Sequence, residues 1–89
     1  MSQDEQDLQL GKLIRERRER TAKVKMLQGR VREITGALSN YLRDIESFIH
    51  SPTAVPTSPE FTWQQVTAVL EELRVEAREL DMITRLVED

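Results

Sequence analysis

The chain has no cysteine, a single histidine, four aromatic residues and only three prolines, all of them in one short stretch. Without cysteine no disulfide can reinforce the fold, and thiolate-based zinc or redox chemistry is excluded. The lone His50 leaves little for acid–base or nucleophilic work. Its neighbour Ser51 has no orienting acid and no oxyanion-hole motif nearby, so His50 reads as a cap on terminal helix carbonyls or as an exposed side chain. The three glycines are too dispersed to form a phosphate-binding loop. No apolar run approaches the ~20 residues of a membrane span. The acidic N-terminus, MSQDEQD, does not resemble the basic-then-apolar start of a signal peptide. These absences predict a non-enzymatic, cytoplasmic protein with no cofactor, metal, small-molecule substrate or membrane partner.

What the sequence does have is charge and helical periodicity. Of 89 residues, 33% are charged, yet the net charge is only −3. Residues 12–32 carry nine Lys/Arg against Glu16 and Glu19, a net of +7, whereas residues 60–89 carry eight acids against three arginines, a net of −5. One arm is basic and the other acidic, a polarity that favours pairing of the two. Glu72, Glu76 and Glu79 share one helical face and read as a solvated acidic surface. They lack the Glu-x-x-His motif that di-metal carboxylate bundles add to inward glutamates.

The prolines divide the chain. Pro52, Pro56 and Pro59 lie within residues 51–59; each lacks a backbone donor and turns the preceding residue away from helical angles. This loop separates a first helix of about 4–50 from a second of about 60–88, within a single helical domain of 1–89. With Leu10 as heptad position a, the a residues are Leu10, Arg17, Val24, Val31, Leu38 and Ile45. The d residues are Leu13, Arg20, Leu27, Ile34, Tyr41 and Phe48. Ten of the twelve are apolar, a spacing that fits helix and not strand. Ser2 to Glu5 has the form of a capping box at the first helix. Thr62 to Gln65 has the same form at the second, with Phe61 and Val66 placed as a hydrophobic staple. Ser58 before Pro59 competes as a start. The second helix then carries a stripe of Trp63, Val66, Leu70, Leu73, Ala77, Leu80, Thr84 and Val87, flanked by Val69 and Ile83.

The fold expected is therefore all-α, an antiparallel hairpin of two unequal amphipathic helices. A tight reversal puts Phe48 near Trp63, so the second helix runs out near residue 22 of the first. The first ~20 residues then project as an overhang of about 25–30 Å, and the acidic end of the second helix lies beside Arg20, Lys23 and Lys25. The apolar face widens over Leu38, Tyr41, Leu42, Ile45, Phe48 and Ile49, more than one partner helix covers. Oligomerisation into a four-helix bundle or coiled coil, most simply as a homodimer, completes it; a different helical protein satisfies the same physics.

The residues expected to carry assembly are Leu38, Tyr41, Leu42, Ile45, Phe48, Trp63, Val66, Leu70, Leu73 and Leu80. Candidate partner contacts are Leu10, Leu13, Ile14, Arg17 and Arg20. Arg17 and Arg20 occupy seam positions where an unpaired charge is costly. Their seam is exposed, meets an acidic helix, or uses them to set register. Gly11, Gly29 and Gly36 are tolerated surface glycines, or Gly29 and Gly36 admit another backbone.

The predicted function is a scaffold, adaptor or small complex subunit acting through helix packing. One alternative is a small nucleic-acid-binding regulator using the basic arm 12–32. Residues 15–25 resemble in composition the basic region of basic-zipper proteins, without that family's asparagine and paired alanines. Another alternative is an inhibitor or chaperone-like binder of a larger helical partner.

Overall fold

A computed structural model describes residues 3–88 of the chain. Two helices account for most of them: α1, Gln3–His50, and α2, Trp63–Glu88. They pack against each other, and no strand occurs among the described residues. The molecule is a rod of 73 × 19 × 16 Å, its length set by the 48 residues of α1.

In α1 the heptad reading holds. Eleven of the twelve a and d residues are partly or fully covered, the exception being Leu10, and Leu27 is fully buried. The start of α2 follows its sequence signature. The Thr62 amide donates to Gln65 Oε1 at 2.9 Å, while the Gln65 amide donates to Thr62 Oγ1 at 3.2 Å. This reciprocal capping box satisfies two amides that the helix itself leaves unpaired, so α2 begins at Trp63 and not at Pro59 or Glu60. Phe61 and Val66, the staple positions, are both half-buried. The capping box expected at Ser2 rests on a residue outside those described.

Two expectations need correction. First, α2 is rotated about its axis. Its covered line is Val66, Val69, Leu73, Glu76, Leu80, Ile83 and Val87, while Trp63, Leu70 and Ala77 face outward. The spacing of this line alternates three and four without interruption, as a packed stripe requires. A glutamate sits in the middle of it because α1 supplies cations opposite.

Second, the helices are offset. Glu76 meets Arg20 and Lys23, and Trp63 and Phe61 lie by Leu38, Tyr41 and Leu42. The helices are therefore antiparallel, but α2 is displaced along α1 by roughly 14 residues, or about 21 Å, from the tight-reversal register. The reason is the loop. Residues 51–62 do not turn sharply; they run back along α1, with Pro56, Pro59 and Phe61 half-buried. Proline's fixed φ suits such an extended path. Val87 consequently comes level with about residue 10 of α1, and the 20-residue overhang does not form. Leu13 and Arg17 are partly covered, while Leu8 and Leu10 remain exposed.

Candidate functional site

The seam holds one cluster of charge. Glu76 is 7% exposed, the only buried charged residue among those described. Its carboxylate is divided between two cations: Arg20 Nη1 donates to Oε2 at 2.6 Å, and Lys23 Nζ lies 3.0 Å from Oε1. Around this centre Arg20 Nη2 reaches Glu16 at 3.5 Å and Lys23 reaches Glu72 at 3.8 Å. The Lys23 and Arg20 hydrogen bonds hold the Glu76 carboxyl below its usual range, outweighing the opposing effect of desolvation. The bond to Glu76 raises Arg20 in turn. Arg20 Nε is buried without a hydrogen-bond partner.

Glu76 is thus not part of a solvated acidic face, and the acids beside Arg20 and Lys23 are Glu76 and Glu72, not the end of α2. A seam arginine meeting an acidic helix was one of three readings for Arg20; the acidic helix belongs to its own chain. Breaking such a buried pair costs more than the pair contributes, so the cluster penalises every register that separates Arg20 from Glu76. Its sequence signal was the single glutamate in an otherwise apolar 3–4 stripe, opposite Arg20, one of the two arginines in the stripe of α1.

The two flanks of the seam differ. Lys23 and Glu72, which bridge the helices, occupy the g line beside the seam. Over the length where the helices run together, g residues are Glu16, Lys23, Arg30, Ala37 and Asp44 on α1. On α2 they are Gln65, Glu72, Glu79 and Leu86. Leu42 and Trp63 lie on the opposite, e, flank, where with Leu38, Tyr41, Pro59 and Phe61 they line an open, largely apolar cleft of about 480 Å³. Trp63 is 71% exposed and Leu42 63%.

The expected assembly residues therefore fall into two sets. Leu38, Tyr41, Ile45, Phe48, Val66, Leu73 and Leu80 are partly covered within the hairpin; Leu42, Trp63 and Leu70 are exposed on its flank. Of the expected partner contacts, Leu10 and Ile14 are exposed, Leu13 and Arg17 are half-buried, and Arg20 is committed to Glu76. His50 is exposed at the end of α1. Arg74 with Glu71 and Arg85 with Asp81 form exposed pairs within α2. A Cβ added at Gly11, Gly29 or Gly36 meets nothing within 4 Å outside its own helical turns, so among the described residues no other backbone approaches them.

No protein-family model matches the chain, nor does any curated protein or solved structure. No described helix is long and apolar enough to cross a membrane.

Proposed function

We propose that the chain is a non-enzymatic helical interaction module, a scaffold, adaptor or small complex subunit whose hairpin is completed into a bundle by other helices. The observation that carries this reading is an imbalance of apolar side chains. Val24, Leu27 and Ile83 are buried, whereas twelve large apolar residues, from Leu8 to Leu86, are exposed. An isolated domain this small is marginal even when its core is well covered, and a hairpin that leaves twelve large apolar side chains exposed gains less from folding alone.

The test is the stability of the purified chain as a function of its own concentration, with and without candidate helical partners. Association linked to folding raises the melting temperature with concentration. A monomer that melts cooperatively at a temperature independent of concentration, and gains nothing from any partner, contradicts the proposal.

Phosphate binding by the basic arm is the second reading, favoured by Arg15, Arg18, Lys25 and Arg32, which are exposed and form no ion pair among the described residues. It ranks lower because Arg20 and Lys23 are engaged by Glu76 and the net charge is negative. Binding to DNA or RNA that falls steeply with added salt supports it; no binding at low salt removes it.

A further inference from the structure

The e line of the hairpin carries no charge, although Arg18 and Lys25 border it beside Ile14 and Thr21 on α1. On α1 its residues are Ile14, Thr21, Gln28, Thr35, Leu42 and Ile49; on α2 they are Trp63, Leu70, Ala77 and Thr84. Ten consecutive heptad positions are uncharged in a chain that is one third charged, while six of the nine g positions on the other flank carry charge. Two of the four polar members of the e line are also undemanding. Thr21 Oγ1 and Thr35 Oγ1 already donate to the carbonyls of Arg17 and Val31, at 2.7 and 2.8 Å, so covering them strands no hydroxyl hydrogen. Burying an unpaired charge is costly, so an uncharged line is the cheaper of the two flanks to cover.

We infer that this uncharged line is the docking surface for a second copy of the chain, centred on the cleft between Leu42 and Trp63. The inference rests on the helical-module reading and names its partner and face. Area leaves room for a second copy. The chain exposes 7387 Å², against about 5,400 Å² for a compact monomer of 10.4 kDa. The excess of roughly 2,000 Å² exceeds the ~800 Å² per partner that a stable interface covers. A two-fold interface brings the same patch from both copies together, and an uncharged line meets its own image without repulsion.

Charge selects the orientation. A two-fold axis parallel to the helices lays α1 of each copy over α2 of the other. The arm with net charge +7 then borders the arm with net charge −5, and all neighbouring helices run antiparallel, as in an up-down bundle. Trp63 of each copy then sits over the other's α1 at the level of its cleft.

Trp63 is the only tryptophan, so its emission reports this face in the unmodified chain. On raising the concentration through the dimerisation midpoint, measured in parallel by sedimentation, Trp63 emission moves to shorter wavelength and becomes protected from acrylamide. Leu42→Glu and Leu70→Glu weaken self-association roughly a hundredfold or more. Met82→Glu, on the opposite flank, changes it less than about threefold, with helicity of every variant checked by circular dichroism. Dimerisation that leaves Trp63 emission unchanged, or that Met82→Glu abolishes and Leu42→Glu spares, overturns the face while leaving the module reading intact. A chain that stays monomeric and loosely helical overturns the second copy as occupant and leaves a different helical protein to cover the surface. A cooperatively folded monomer overturns both.

Discussion

Glu76 shows how one side chain can hold a register without contributing much stability. Its two carboxylate oxygens serve Arg20 and Lys23 at the seam, and removing it leaves the Arg20 guanidinium partly desolvated with Nε already unpaired. Glu76→Gln is expected to lower the melting temperature clearly more than Glu71→Gln, which disturbs only an exposed pair within one helix. Replacing Arg20, Lys23 and Glu76 together by Met, Met and Leu should recover most of that loss, because well-packed apolar side chains substitute for buried ion networks at little cost. The same carboxylate predicts a pH dependence. Its folded value is depressed, so its contribution is complete above the unfolded carboxylate value of about 4.3 and disappears as pH falls through the lower folded value. Melts between pH 5 and pH 3, a window flanking that ~4.3, should show stability falling on acidification in the wild type and a shallower fall in Glu76→Gln. Leu27 makes the complementary case. Fully buried, it should cost about 2–5 kcal/mol as Leu27→Ala in denaturant titrations.

At the scale of elements, what the sequence disclosed depended on whether the cause was local. The α1 stripe follows from 3.6-residue periodicity alone, and the α2 start from a four-residue capping exchange; both were legible. The rotation of α2 was not, because a stripe through Glu76 looks wrong until Arg20 is known to lie opposite. Its alternative, through Leu70 and Ala77, carried no charge and only one polar residue, Thr84, and was therefore more persuasive in one dimension. The offset was hidden for a similar reason. Three prolines say that a helix stops, but whether the chain then turns or runs back along α1 depends on Pro56, Pro59 and Phe61 finding cover there. Two substitutions separate these local terms from packing. Thr62→Ala removes half of the capping box and should destabilise by about 1 kcal/mol. Gly36→Ala meets open space within the chain and should stabilise α1 by up to ~1 kcal/mol. A loss of self-association in Gly36→Ala, read by sedimentation, is the contrary result and assigns that glycine to contact with another backbone.

The whole molecule is a rod whose radius of gyration, 20.8 Å, far exceeds the ~12 Å of a compact 89-residue domain. Elongation is a consequence of the offset. The loop uses the upper third of α1 as its track, and α2 uses the rest, so the hairpin has length but almost no thickness. Thickness can come only from further helices, and the direction in which they add is observable by X-ray scattering. Copies joined side by side through the e flank double the mass while the maximum dimension stays near the 73 Å of one chain. Copies joined through the exposed Leu8 and Leu10 at the end of the rod lengthen it toward twice that value. The cross-sectional radius responds in the opposite sense, rising for lateral packing and unchanged for end-to-end growth. A scattering curve across the association midpoint therefore separates the two modes without any substitution. The uncharged e line predicts lateral growth, with maximum dimension constant as mass doubles.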